Sequence, residues 1–330
     1  LLSSRSGDGT PGSTTPARPV APPASLASLL ESTKVADLMR EGQVLVTLPA
    51  EATVEAALKS LAARRVLSAP VTAPLPGTPF PPGTTPEFKA AAAARGQIVC
   101  MADLRDVLWS LLESLPTEAL AGARLLKRMA VLEEAGAALA ATPLAALPVL
   151  GTDGVFLRAA DAKVLSVGAL LETHMLAPPD LATVRPGSAP RARAAAHRVA
   201  LTSDDGRAVT HVVSQLDVAR WLLSKVSSLG PLAAKTLAEA GWAHRGVVCV
   251  RADTPAIDAL ATMRAHGIAG LAIVEASSCP GSSHRGPATG DATVPPDAGG
   301  PMIAAFALPD LRSLAAEHLG ALALPAAEFL

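Results

Sequence analysis

Ser214 and Asp217 stand three residues apart, where an apolar run, AVTHVV (208–213), gives way to a helical pattern through Lys225. The serine fits an N-cap, because its hydroxyl can accept a hydrogen bond from a free amide of the first turn. The aspartate then lies in that turn, and its carboxylate is a two-oxygen acceptor for paired hydroxyls. A helix N-terminus also favours anions, and the basic pair His197-Arg198 opens the preceding strand. Asp106 and Asp310 sit equivalently near the starts of two other helices, with Asp103 and Ala307 where Ser214 stands. Such groups suit recognition of a polar ligand, although the helix dipole alone also selects aspartate in a first turn. Catalytic signatures are missing: there is no P-loop, no GxGxxG after a strand, no HExxH and no GxSxG. His174, His211, His244, His266, His284 and His318 have no metal-building spacing.

The elements that must position these residues emerge from an internal repeat. Residues 45–71 align without a gap on 247–273: Leu45-Val46-x-Leu48 faces Val247-Val248-x-Val250, and Ala57-Leu58 faces Ala259-Leu260. Leu61 faces Met263, Val66 faces Ile268, and Val71 faces Ile273. Each copy reads as strand, helix with an acidic first turn, strand. A Pro/Gly/Ser/Thr-rich insertion follows in both, residues 72–95 (densest at 72–87) and 276–300. A further strand comes next, IVCMA (98–102) or MIAAF (302–306), and then the helix bearing Asp106 or Asp310. A third copy lies between. RVALT (198–202) and AVTHVV flank an Asp204-Asp205-Gly206 turn, Leu181–Val184 supplies a first strand, and a shortened helix covers about 189–197. Residues 117–141 read as a strong helix.

This strand–helix–strand–strand–helix unit, with Ser/Thr-x-x-Asp opening the last helix, resembles the cystathionine-β-synthase (CBS) domain. Three stretches carry the resemblance: residues 35–71, 197–223 and 246–274. It is closest to the γ regulatory subunits of AMP-activated and sucrose-non-fermenting-type protein kinases, in particular the γ-like proteins of plants and green algae. The resemblance implies an α/β (α+β) fold of tandem CBS repeats paired through their sheets into a Bateman-type module. It also implies adenine nucleotides (AMP, ADP or ATP) as regulatory ligands between repeats, with no obligatory cofactor and no catalysis. Carried over, Ser214 and Asp217 would meet ribose and His197 and Arg198 the phosphates, while Asp106 and Asp310 keep the ribose position in their copies. Leu67-Ser68 and Ala269-Gly270 replace the basic pair there. The implied partners are kinase catalytic and β-type subunits or another CBS protein. Two rivals stay open: a degenerate scaffold acting by protein contact alone, and the regulatory fragment of a larger enzyme or transporter.

Composition bounds these readings. In 330 residues, half are apolar but 2% are aromatic, tyrosine is absent and alanine is about a fifth, so the core must use small aliphatic side chains. Twenty-eight basic against 29 acidic residues argue against a dedicated nucleic-acid protein. No run reaches the roughly 18–20 apolar residues of a membrane helix. Cys100, Cys249 and Cys279 are too scattered for a disulfide framework. A cytoplasmic or nuclear setting is expected, with an organelle such as the chloroplast as the alternative, because residues 1–24 are poor in acid. The start at Leu1 suggests a fragment or processed form. The expected organisation is a disordered extension over 1–33, CBS repeat 1 over 34–115 and a helical linker over 116–164. Repeat 2 then covers 165–229 and repeat 3 covers 230–320, with 321–330 opening a missing fourth. Repeats 1 and 2 are expected to pair, with repeat 3 seeking a partner, and residues 72–87 and 276–300 to be mobile.

Overall fold

A strand hairpin lies at the centre of each repeat. In repeat 1, β2 (Ser68–Thr72) and β3 (Ile98–Asp103) run antiparallel, with Ser68 opposite Asp103 and Val71 opposite Cys100. Residues 66–71 and 98–102 thus contribute adjacent strands, as the repeat alignment predicts. β1 (Leu48–Pro49) runs parallel to β2. Repeat 2 follows the same plan: β4 (Val155–Arg158) lies parallel to β5 (Arg198–Thr202), which pairs antiparallel with β6 (Val209–Ser214) and sets Arg198 opposite Ser214. In repeat 3, β7 (Val247–Arg251) is parallel to β8 (Gly270–Val274), β8 is antiparallel to β10 (Met302–Ala307), and Gly270 faces Ala307. β9 (Thr293–Val294) extends the outer edge at β7. The computed structural model describes residues 25–116, 120, 122–150, 155–176, 196–240, 247–275, 293–294, 301–312 and 314–330. The fold is mixed α/β.

The helices form where caps and apolar spacing agree. Thr53 caps α2 (Val54–Ala63) by accepting the Ala56 amide, and Val54, Ala57 and Leu61 point inward at helical spacing. Asp103 and Ser214 likewise cap α4 (Leu104–Ser114) and α7 (Gln215–Ser224). α5 (Leu125–Ala140) occupies the C-terminal two thirds of the helical segment expected at 117–141 and buries Leu132, Gly136 and Leu139. α6 (Ala159–Val164) follows β4, and α8 (Ala256–His266) bridges β7 and β8. The hairpin turn at 204–206 is present, with Gly206 at φ +70°, a value that glycine adopts without strain.

Two cores hold these elements. The larger fuses repeats 1 and 3: Leu48, Val71, Leu104, Leu108 and Leu111 share one apolar cluster with Leu260, Met263, Phe306, Leu311 and Leu322, and Leu132 of α5 joins them. The smaller belongs to repeat 2 and the opening residues of repeat 1, with Val35 and Leu38 against Val167, Leu170, Met175, Val199, Leu201 and Val213. Repeat 3, expected to seek a partner, shares its hydrophobic core with repeat 1, where α4 and α8 turn their apolar faces toward each other. Repeats 1 and 2 join, as expected, through Val35 and Leu38 in the repeat 2 core and through the Val35 amide, which donates to the Leu165 carbonyl.

Three expectations change in part, and the last residues find a place. The supposedly disordered 1–33 includes α1 (Leu26–Ser32), capped by Ser25 and laid against Gly168 through Leu30; residues 1–24 lie outside the described set. The insertion at 72–95 is not all loop. It ends in α3 (Pro86–Arg95), capped by Thr85 and closed by Gly96 at φ +80°, with Phe88 and Ala92 buried. The linker 116–164 contains β4, the first strand of the second sheet; the strand expected at 181–184 lies outside the described residues, as does most of the helix at 189–197. Residues 321–330 dock on repeat 3. The Ala326 amide donates to Thr254 and the Ala256 amide to Leu324, while the Phe329 ring meets Phe306 edge-on at 5.8 Å. Of the insertion at 276–300, β9 alone is described.

Candidate functional site

The three aspartates share one local geometry. Each sits three residues into the segment after its hairpin and accepts the backbone N–H of the residue at the hairpin's end. Asp103 N to Asp106 Oδ2 is 2.9 Å, Ser214 N to Asp217 Oδ2 is 2.9 Å, and Ala307 N to Asp310 Oδ2 is 2.8 Å. One oxygen of each carboxylate is thereby spent on the fold itself. What surrounds the other oxygen separates the repeats.

In repeat 2 the carboxylate is deeply engaged. Asp217 is buried, and its Oδ2 also accepts the Ser214 hydroxyl at 2.7 Å. Its Oδ1 accepts from the Arg40 guanidinium, which arrives from repeat 1, 177 positions away in sequence. Arg220 reaches the same oxygen at 4.0 Å. Burial pushes Asp217 up, but the Ser214 hydroxyl and amide and the Arg40 guanidinium outweigh it and hold the carboxyl below its usual range. Beside this pair, Gln43 clasps β6 with two 3.0 Å hydrogen bonds to the Val212 amide and carbonyl.

The basic pair divides. His197 Nδ1 lies 3.1 Å from Gln215 Oε1, so it stays local to repeat 2. Arg198 reaches across the junction instead and donates from Nη1 to Asp103 Oδ2 at 3.2 Å. The crossing is reciprocal. Repeat 1 sends Arg40 to the acid of repeat 2, and repeat 2 sends Arg198 to the acid of repeat 1. Asp103 also caps α4 through the Arg105 amide at 2.9 Å, and its strand neighbour Ser68 has a buried hydroxyl with no hydrogen-bond partner among the described residues. The expected grouping of Ser214, Asp217 and Arg198 in one repeat is thus redrawn: the set straddles two repeats, and Arg40, Gln43 and Asp103 complete it. Arg40 carried no sequence signal, being a lone arginine in a loop whose partner is remote.

Repeat 3 lacks these additions. Asp310 is exposed, and no cation pairs with it among the described residues. A Cβ on Gly270 would approach Ala307 Cβ to 3.1 Å, so a basic side chain there would crowd the hairpin end. Cys100 and Cys249 are buried, and burial raises the Cys100 thiol far from the reactive range. Among the described residues no His/Cys/Asp/Glu group could hold a metal ion, and no helix is long and apolar enough to cross a membrane.

Residues 240–279 match the family model of the CBS domain, a stretch that contains β7, α8 and β8, so the chain carries a CBS domain there. No curated protein matches the chain. Among solved structures it is similar to a Methanocaldococcus jannaschii protein proposed to be an archaeal homolog of g-AMPK: identity is 14%, the TM-score 0.45, and coverage 74% of this chain and 66% of that one. The chain thus spans just under two thirds of that protein. It is also similar to the CBS-pair protein CBSX2 of Arabidopsis thaliana, with 17% identity, 58% of this chain, 95% of that one and a TM-score of 0.30. A CBSX2 structure in complex with AMP gives 16% identity, 58% and 97% coverage and a TM-score of 0.29.

Proposed function

We propose that the chain is a regulatory protein that senses an adenine nucleotide at the junction of repeats 1 and 2 and conveys its occupancy to a protein partner. The observation that carries this reading is the crossed pair, Arg40 with Asp217 and Arg198 with Asp103. A carboxylate suits the paired hydroxyls of a ribose, and a guanidinium suits a phosphate. Both groups are present, held against each other across one junction. A nucleotide offers each a new partner, so Asp217 exchanges Arg40 for hydroxyls while the freed guanidinium meets phosphate. Because the exchanged bonds join two repeats, ligand and junction geometry are linked. A partner that binds the two geometries differently then reads the ligand. No bond of the nucleotide need be broken. A protein kinase catalytic subunit of the sucrose-non-fermenting class is the partner that the sequence resemblance favours.

Calorimetric titration with AMP, ADP, ATP and S-adenosylmethionine tests the reading. Asp217→Ala should weaken nucleotide binding roughly tenfold to hundredfold, the cost of a charge-assisted hydrogen bond. Arg198→Ala should weaken ATP and AMP but spare adenosine, and Asp310→Ala should have the smallest effect. Equal affinity for wild type and Asp217→Ala would remove this site. A second reading, a scaffold that binds no nucleotide, is favoured by the closed hairpin end at Gly270 and by the internal pairing of the junction charges. Absence of binding by the wild-type chain would select it.

A further inference from the structure

The hairpins of repeats 1 and 2 differ in what closes them. Residues 203–208 close β5 onto β6, whereas residues 73–97 close β2 onto β3, so the fold itself does not require the longer connection. Long connections within compact units are usually functional. This one is tied down on both sides. The Ala73 amide donates to the Gln97 carbonyl, the Thr85 amide to the Ala145 carbonyl, and Phe88 of α3 is buried. Between the ties the chain stays on the surface. Leu75 is 65% exposed and Phe80 37%, and Pro76, Pro79 and Pro82 are exposed beside them.

Covalent chemistry fixes the shape of this span. Pro79, Pro81 and Pro82 hold φ near −65°, roughly, and Thr78, Phe80 and Pro81 each precede a proline, which steers them to extended ψ. A turn closes the span on each side. The Thr78 amide donates to Leu75 across Pro76-Gly77, and the Thr84 amide donates to Pro81 across Pro82-Gly83. Both glycines have positive φ, as a type II turn requires. The Phe80 ring meets Phe88 edge-on at 6.4 Å, which latches the span to α3. Residues 78–82 are thus held near polyproline II before any partner arrives.

The groups on offer decide what can bind there. Between Thr78 and Gly83 only Phe80 has a backbone N–H, so the span cannot be read as an added β-strand. No charged residue occurs from Val66 through Pro86, so a charged partner gains no ion pair from it. What remains is a row of pyrrolidine rings and backbone carbonyls, with Leu75 and Phe80 as apolar side chains. We propose that residues 75–82 dock in an uncharged, aromatic-lined groove of a partner protein that recognises polyproline II. Tyrosine or tryptophan rings suit the prolines, while a phenol O–H or an indole N–H can donate to a carbonyl. Because the span is already ordered, docking forfeits little conformational entropy. This surface adds to the function proposed above and does not depend on nucleotide binding.

The test is fluorescence anisotropy of the full chain, without nucleotide, against a panel of labelled WW and EVH1 domains. At least one domain should bind, and a free polyproline peptide should displace it. Pro79→Ala with Pro81→Ala should weaken that binding at least about tenfold, since a few anchors carry most of such an interface. Both prolines lie outside the helices and strands, so an unchanged circular dichroism spectrum is expected beside the loss. Leu237→Ser, at an exposed apolar residue outside the loop, should leave the affinity unchanged. Failure of every domain in the panel to bind would overturn the proposal, as would binding that survives the double proline substitution. So would sedimentation of the chain with phosphatidylcholine vesicles that is lost in Leu75→Ser with Phe80→Ser, because the loop would then be a membrane anchor. Omitting nucleotide keeps a failure here separate from a failure of the nucleotide titrations.

Discussion

Repeat 1 meets repeat 3 and repeat 2 through two very different junctions. Toward repeat 3 it contributes Leu104, Leu108 and Leu111 to a continuous apolar cluster with Leu260, Phe306 and Leu311. Toward repeat 2 it contributes, beside the apolar Val35 and Leu38, the polar side chains of Arg40, Gln43 and Asp103, whose partners are Asp217, the Val212 backbone and Arg198. Burial of apolar surface is non-directional and offers a small polar ligand nothing to compete with. Ion pairs and side-chain hydrogen bonds are individually modest, and a ligand of matching charge can replace them. The first junction is dominated by its apolar core, while the second sets exchangeable polar contacts beside a smaller apolar anchor. A regulatory protein needs both, since an exchange at one site alters the assembly only if the remainder stays rigid.

The largest expected effect lies at the apolar junction. Leu111 is fully buried on α4 and lines a small apolar cavity with Val54, Leu139 and Leu311. Leu111→Ala should cost about 2–5 kcal/mol, the lost transfer energy plus the enlarged void. Urea unfolding followed by circular dichroism measures it. A loss below about 1 kcal/mol would mean that repeats 1 and 3 do not depend on each other for stability, and the contrast would collapse.

The polar junction was the less legible of the two in the sequence. Hairpin partners, insertion points and the aspartates three residues past each hairpin end follow from local patterning, and the strands at 68–72 and 98–103 fall where the repeat places them. α3 was also readable, since Thr85-Pro86-Glu87 and Gly96 bracket an alanine-rich run with a cap, a proline at the first position and a closing glycine. β4 was not, because a four-residue apolar run, VFLR, has too little length to show a period. Arg40 and Asp217 were beyond reach for another reason: nothing local marks a loop arginine for a carboxylate 177 residues away. The packing of repeat 3 on repeat 1 is likewise a property of whole faces, visible only once α4 and α8 are packed.

A middle-sized effect probes Asp217. Asp217→Asn keeps the shape and removes the charge that Arg40 and Ser214 satisfy, which should cost about 1.5–3 kcal/mol at neutral pH. The pH dependence gives the sign. The folded carboxyl lies below its unfolded value of 3.8, so its stabilisation is fully present above that pH and is lost as pH falls through the folded value. The gap between wild type and Asp217→Asn should therefore be constant from about pH 7 to about pH 5 and close toward about pH 2. A gap that persists in acid would show that asparagine disturbs packing rather than charge. A gap as large as that of Leu111→Ala would mean that this junction is as fixed as the other.

The smallest effect is the most informative about exchange. Arg198 and Asp103 are 27% and 22% exposed at the side chain, so the pair is neither free in water nor fully desolvated. A double-mutant cycle of Arg198→Gln and Asp103→Asn isolates its coupling, because asparagine remains a good N-cap for α4 and leaves the bond to the Arg105 amide replaceable. The expected coupling is about 0.5–1 kcal/mol in low salt, and it should shrink as ionic strength rises. A value near zero would mean that the pair does not join the repeats at all. A value of several kcal/mol that ignores salt would mean a junction locked by desolvated charge, which a phosphate could not readily open. Between those limits the guanidinium is held firmly enough to order the junction and loosely enough to be taken by an anion.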